Sequence, residues 1–495
     1  MDYIIAIDQS TSGTKVMLVN EQAEVLQKKA KAHKQHYPHP SWVEHDPKEI
    51  YENVKNLLLD VSKEAPETMT HIKGLAITNQ RETVVVWDKE TGEPVYNAIV
   101  WQCRRTIDIC EEIKDAGHGE EIEYKTGLTL DPYFSASKVK WILDSVDGAR
   151  KKANNGKLLL GTIDSWLIWK LTNGEVHATD YTNASRTSLF NIETLEWDDG
   201  LLKLFDIPAS MLPVVKSSNA IFGTVKDSHT GIDGLPISGV IGDSQGALFG
   251  QKCFEPGMAK ATYGTGTSVL MQTGHMVRGS AGLVTSIAWG IDGKVSYALE
   301  GIIHATGDTI NWLKDQLELI DDVSELETLA TSIPDNQGVY LVPAFVGLGA
   351  PYWDANARAA IVGMSRNSGK AHIARAALES TAYQVKDVVE LIEKESGIKM
   401  RQLRVDGGAT ANRFLMKFQT DLLGTEVRVS EVAELSAMGS IYLAGLAFGI
   451  WKSVNEIGDL NQGSEGYYPT LSPSLRDQWY KGWKKAVGCV LKGSE

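Results

Sequence analysis

The chain opens on an almost unbroken apolar run, YIIAID over residues 3–8, then a polar turn, QSTSGT, and a second apolar run, KVMLVN, over 15–20. Short continuous hydrophobic runs bounded by small polar residues predict buried strands, here joined as a hairpin. The signature recurs in AKATYGTGTSVLMQ at 259–272: strand, Gly-Thr turn, strand. Between the two hairpins, IKGLAITNQRETVVVWD (72–88) reads as two strands broken at Gln80, Arg81 and Glu82, and AIVWQCRR (98–105) as a strand ending in aromatic and basic residues. At 237–250, ISGVIGDSQGALFG predicts a strand, a corner at Gly242, Asp243 and Ser244, and the start of a small-residue helix.

Helical periodicity fills the intervals. Val139, Ile142 and Leu143 form one apolar face behind Asp131, Pro132 and Tyr133, and GTIDSWLIWKLTNG (161–174) predicts an amphipathic helix closed by Asn-Gly. The stretch 179–198, TDYTNASRTSLFNIETLEWD, reads as a polar hairpin region. In the second half, HATGDTINWLKDQL (304–317) predicts a helix after a glycine-containing turn, and 339–364 a strand, a glycine-rich loop and a strand. A long amphipathic helix over 372–397 ends at Gly397. Residues 401–424 predict a strand, Asp406-Gly407-Gly408 and a helix, and 436–450 a helix of small residues built for close packing.

A hairpin with a hydroxyl- and glycine-rich tip at the start of each half predicts a duplicated α/β architecture. The boundary falls near 250–255, giving domains 1–252 and 253–495, with the two tips as phosphate loops across an inter-domain cleft. A length of 495 residues agrees, being too great for one ordinary core.

Candidate chemistry gathers at the polar breaks. A carboxylate delivered by a buried strand onto a glycine-flanked corner, as Asp243 is, can serve as a base facing a cleft; the same residue type also caps helices. Asp8 ends the first strand in the same way. The serine and threonine of each hairpin tip offer short donors to a polyphosphate, and Gly407-Gly408 lets backbone approach a ligand at a helix N-terminus.

Charge and composition narrow the partners. A formal net charge of −14 excludes a phosphate-backbone binder without a basic face, so nucleic acid and anionic membrane are not expected. No stretch approaches the roughly 18 apolar residues of a membrane span, and no basic, apolar leader precedes the first strand, which places the protein in the cytoplasm. Cys103, Cys110, Cys253 and Cys489 lack metal-type spacing and read as packing residues or bystanders in a reducing compartment.

Eight strings in order, WVEHDP (42–47), ITNQRET (77–83), YNAIVWQCRR (96–105), DPYFS (131–135), TDYTNASRT (179–187), YGTGT (263–267), GLGAPYWD (347–354) and VDGGATAN (405–412), make the chain resemble the FGGY carbohydrate kinases, and within them the glycerol kinases. The match runs over essentially the whole chain. It implies a duplicated actin-like (RNase H-like) ATPase fold and transfer of the γ-phosphoryl of ATP to a primary hydroxyl of a polyol, giving sn-glycerol 3-phosphate from glycerol. By the same resemblance Arg81, Glu82, Trp101, Tyr133, Asp243 and Ser244 contact the polyol, with Asp243 the general base. Asp8 and Asp243 hold or orient Mg²⁺. Thr11, Ser12, Gly13, Lys15 and Thr265 meet the phosphates, while Gly307 and Asn311 lie near the ribose or base and Gly408 and Asn412 beside the adenosine. A homodimer or homotetramer is implied.

Three departures stand out against that pattern. Ser268 occupies a position where glycerol kinases commonly carry Phe, and Ser244 one where they commonly carry Gln. Loss of bulk near the acceptor leaves a longer polyol or a ketose (erythritol, threitol, xylitol or xylulose type) as the alternative substrate, and a non-catalytic actin-like nucleotide-binding protein as a third reading. No Arg near Gly234 is available to bind a sugar bisphosphate inhibitor. His229, seven residues before Pro236, resembles in spacing a histidine phosphorylated by a phosphocarrier in Gram-positive relatives, with different flanking residues.

Overall fold

A computed structural model describes residues 1–460 and 463–493. They form two compact units: residues 1–252 with 285–297 and 434–460, and residues 253–284 with 298–433 and 463–493. The first unit is therefore not one stretch of chain. The helix Leu435–Ala447 returns to it, packing on the strands Ile237–Gly242, Ile72–Asn79 and Tyr3–Gln9 and on the helix Asp243–Gly250.

The central strand of the first unit is the opening apolar run, Tyr3–Gln9, buried from Ile4 onward. It pairs antiparallel with Gly13–Asn20, which pairs antiparallel with Val25–Ala32. On its other side it runs parallel to Ile72–Asn79, and that strand parallel to Ile237–Gly242. Numbered along the chain, the order is 3-2-1-4-5. The second unit repeats it, with Met258–Tyr263 at the centre flanked by Thr267–Gln272 (antiparallel) and Gln402–Gly407 (parallel). Lys294–Ile303, through its residues Ala298 to Ile303, and Val427–Ser430 lie outside these, and Ser464–Tyr467 adds an antiparallel edge. Equal strand order and direction in both units is the duplication that the two hairpins foretold, in the actin-like arrangement that the family resemblance implies.

Small residues let the helices of the first unit close on one another. A β-carbon on Gly439 would stand 2.0 Å from the Gly246 carbonyl oxygen, and one on Gly250 2.0 Å from that of Leu435. The small-residue pattern at 436–450 thus records close backbone contact.

Three local expectations differ from the structure. The strand at 98–105 is only Ala98–Ile99, because the chain turns as Cys103 N–H donates to the Val100 carbonyl and Trp101 N–H to the Thr83 hydroxyl. The helix Ile163–Leu171 is buried on every side but Lys170 rather than amphipathic; Trp166 and Trp169 pack on Trp87, and Asp164 accepts from Thr162 and Thr179. The polar stretch 179–198 is hairpin only at its end; its first part, through Phe190, is almost wholly buried as an interior network. Asp180 caps the short helix Tyr181–Ala184 and accepts from Ser218, and only Phe190–Asn191 with Glu196–Trp197 pairs as a hairpin.

Candidate active site

In the first unit, strand register sets the polar residues at the C-terminal ends of the parallel strands. Asp8 lies opposite Lys15 on one neighbour and Thr78 on the other, and Gly242 opposite Asn79, so Asp8, Gln80 to Glu82 and Asp243 emerge at one edge of the sheet. Gly242 has no room for a side chain: a β-carbon there would stand 2.9 Å from Arg81 Cγ.

Arg81 is buried and directs Nη1 to Gln245 Oε1 at 3.2 Å, with Nε 3.4 Å from Asp243 Oδ1 and 3.8 Å from Glu82 Oε1. Glu82 is buried too, with φ of 60°, a left-handed conformation that turns its side chain inward. Its Oε1 accepts from Arg186 Nε at 2.6 Å. Burial raises the Glu82 carboxyl pKa while Arg186 and Arg81 oppose the shift. Asp243 is the first residue of its helix, not the N-cap, which is Gly242. Its Oδ1 accepts from Ser244 N–H at 2.6 Å, and its side chain is 38 % exposed, the most open carboxylate of this group. An exposed carboxylate beside a buried Arg-Glu pair can accept a proton from a bound hydroxyl.

Trp101 and Tyr133 stand together, ring centroids 5.3 Å apart. Trp101 Nε1 donates to Thr11 Oγ1 at 3.0 Å, and the Ser135 hydroxyl donates to the Glu82 carbonyl, so the aromatic wall is tied both to the first hairpin tip and to the Arg-Glu turn. Beneath Tyr133 the fully buried Lys138 donates to the carbonyls of Pro132, Tyr133 and Phe134. Its amine is pushed down to about 8 by burial.

At the hairpin tip, Ser10 N–H and Oγ both reach the Gly13 carbonyl, and Gln35 Nε2 donates to that of Thr11. Gly13 is required by packing, since a β-carbon would stand 2.8 Å from the Lys31 carbonyl oxygen. Ser12 is exposed. Asp8 is pushed up to about 6 by burial, opposed by Lys15 and reinforced by Glu434 and Asp243.

In the second unit, the exposed Thr265 gives its carbonyl to the N–H groups of Thr306 and Asp308, and Gly307 N–H donates to the Gly264 carbonyl. The Gly-Thr turn and the start of the helix Gly307–Asp315 thus form one structure, with Asn311 exposed one turn along. Asn412 caps the helix Arg413–Leu423 through Oδ1 to Leu415 N–H. Gly408 is exposed, whereas the preceding Gly407, with φ of 98°, is the glycine that conformation demands; a β-carbon there would stand 2.1 Å from the Tyr263 carbonyl oxygen. Ser268 donates to the buried Glu300 at 3.1 Å, so its hydroxyl is engaged within its own sheet.

Arg186, Gln245, Lys138, Glu434 and Thr306 join these groups without having been singled out by sequence pattern. Arg186 sits inside a string already singled out and Gln245 follows Ser244 directly, so both carried a signal. Glu434 had none, being 419 residues from its partner Lys15. Of the cysteines, Cys103, Cys110 and Cys253 are buried and Cys489 is exposed; none is in a disulfide. His229 is exposed in a short turn whose Asp227 accepts its N–H. No helix among the described residues is long and apolar enough to cross a membrane.

Comparison with known proteins bears on the whole chain. Residues 3–250 match the model of the N-terminal domain, and 259–448 that of the C-terminal domain, of the FGGY family of carbohydrate kinases. Glycerol kinase 2 of Thermotoga maritima is 52% identical over 492 residues, 99% of each chain. Glycerol kinase of Carboxydothermus hydrogenoformans is 52% identical over 98% of this chain and 97% of its own. Among solved structures, Plasmodium falciparum glycerol kinase with ADP has a TM-score of 0.96 at 39% identity, covering 99% of this chain and 98% of that one. A xylulose kinase of Lactobacillus acidophilus, 22% identical over 99% of this chain and 98% of its own, shares the fold with a TM-score of 0.89.

Proposed function

The chain belongs to the FGGY family of carbohydrate kinases, and from that membership we propose that it transfers the γ-phosphoryl of ATP to glycerol, yielding sn-glycerol 3-phosphate. The observation that carries the reading is full-length identity of about half to curated glycerol kinases together with the Arg81, Glu82 and Asp243 cluster.

On this reading Arg81 donates to and Glu82 accepts from neighbouring hydroxyls, and Trp101 and Tyr133 wall the carbon chain. Asp243 accepts the hydroxyl proton. In a loose phosphoryl-transfer transition state that proton leaves late, so a carboxylate can serve as its acceptor. Thr11, Ser12, Gly13, Lys15 and Thr265 meet the phosphates, and Gly307, Asn311, Gly408 and Asn412 the nucleoside.

Mg²⁺ suits the residues present. Asp8 and Asp243 are hard oxygen donors; burial chiefly, and the charges of Glu434 and Asp243 after it, raise the Asp8 pKa, and a divalent cation would offset that unfavourable charge. Held there with phosphate oxygens, the ion would neutralise charge on the transferred group. His229 is exposed on its turn, as phosphocarrier control at that histidine would require.

The test is ADP release measured with glycerol, erythritol, threitol, xylitol, dihydroxyacetone and xylulose. Glycerol leading in kcat/KM upholds the reading. A longer acceptor leading would instead favour the reading based on the small side chains of Ser244 and Ser268. No acceptor-dependent ADP at all would reject catalysis.

A further inference from the structure

Lys15 faces two carboxylates. Its Nζ is 3.7 Å from Asp8 Oδ2, its cross-strand partner, and 2.6 Å from Glu434 Oε2. The nearer partner is thus the one from far along the chain. Glu434 immediately precedes the helix Leu435–Ala447, yet its side chain makes no hydrogen bond to that helix's free N–H groups and turns to the lysines instead. Its second oxygen, Oε1, is 3.1 Å from Lys28 Nζ on the strand Val25–Ala32.

The pairing is asymmetric in a useful way. Should Lys15 swing toward a phosphate, Glu434 keeps Lys28 and is not left as an unpaired, nearly buried charge, which would be costly. An incoming polyphosphate therefore competes with Glu434 for one ammonium group.

We propose that Glu434 is a positioning residue that holds Lys15 off the nucleotide and yields it when the phosphates bind, so that it weakens nucleotide affinity and speeds product release. The inference rests on the reading of Lys15 as a phosphate contact. Glu434 touches neither substrate; it acts through Lys15.

Calorimetric titration with ADP tests it in four proteins: the full-length chain, Glu434→Gln, Lys15→Met and the double variant. Removing the competing charge is expected to tighten ADP binding by roughly 2- to 5-fold, the upper part of the range for a partly exposed charge pair. Lys15→Met is expected to weaken binding, and in its background Glu434→Gln should change nothing. A purely structural Glu434 would give the opposite sign, weaker binding on substitution, and that result overturns the proposal. Tightening that persists without Lys15 also overturns it, since the charge would then act directly on the phosphates. Unchanged binding in Lys15→Met removes both the phosphate-contact reading and this inference, whereas weakened binding there with no tightening in Glu434→Gln removes this inference alone. If Glu434→Gln does not fold, Glu434→Asp, whose carboxylate is drawn back from Lys15, carries the same expected direction.

Discussion

The indole Nε1 of Trp101 donates to the hydroxyl of Thr11 at 3.0 Å, joining a residue proposed to wall the polyol to one proposed to meet the phosphates. Trp101→Phe keeps a ring against Tyr133 and deletes the donor. The KM for ATP is expected to rise roughly 3- to 10-fold, matching the loss of about one hydrogen bond, alongside any effect on the polyol. Steady-state kinetics in both substrates check this, and an ATP KM equal to that of the parent would show that the bond positions nothing.

Arg186 carries the next expectation. It is fully buried and holds Glu82 at 2.6 Å while also reaching Ser286. Lysine cannot reproduce the guanidinium geometry, so Arg186→Lys should loosen Glu82 and raise the polyol KM at least tenfold with a smaller change in kcat. Removing the charge in Arg186→Gln leaves Glu82 without its nearest cation, and about 3–5 kcal/mol of stability is expected to be lost. Urea unfolding beside kinetics separates the two effects.

Lys138 gives a pH signature. Its amine is depressed to about 8 by burial, against 10.5 when free. Between those values the folded chain has released a proton that the unfolded chain still binds, so this group's contribution to stability rises with pH across that window, at roughly 1.4 kcal/mol per pH unit. Below pH 8 both states are protonated and the contribution is flat. Relative to Lys138→Met, the parent should therefore gain stability between pH 8 and pH 9.5 in urea unfolding. Equal slopes for the two proteins would mean that the amine is not depressed.

Gly439→Ala tests the close contact of the two small-residue helices. Its β-carbon would meet the Gly246 carbonyl at 2.0 Å, and backbone on both sides leaves no flexible group to yield. A loss of about 1–3 kcal/mol is expected, the usual cost of overpacking. A variant as stable as the parent would show that the helices separate readily.

Much of this was legible in the chain because it rests on local patterns. The buried strands announced themselves as apolar runs, and the repeated hairpin tips gave the duplication. The small residues from Ser436 onward told of close helix packing. What escaped was set by distant partners. The helix Ile163–Leu171 reads as amphipathic through Asp164 and Ser165, but Thr162, Thr179 and the Ala178 carbonyl satisfy those polar groups inside. Arg186 looks like an ordinary loop residue until Glu82, 104 positions away, is seen against it. Lys138 escaped for another reason: its partners, the carbonyls of Pro132, Tyr133 and Phe134, lie close by in the chain but are backbone groups, which no side-chain pattern records.

The account turns on Asp243 as the group that takes the acceptor's proton. Its carboxylate accepts from Ser244 N–H and lies beside Arg81. Asp243→Asn preserves shape and removes the basic oxygen. The decisive measurement is kcat for glycerol-dependent ADP formation by that variant, with ADP affinity and thermal unfolding measured on the same preparation. A fall of roughly a thousandfold or more in kcat, with folding intact and ADP bound within a few-fold of the parent, is the result the account predicts. Turnover close to that of the parent would contradict it.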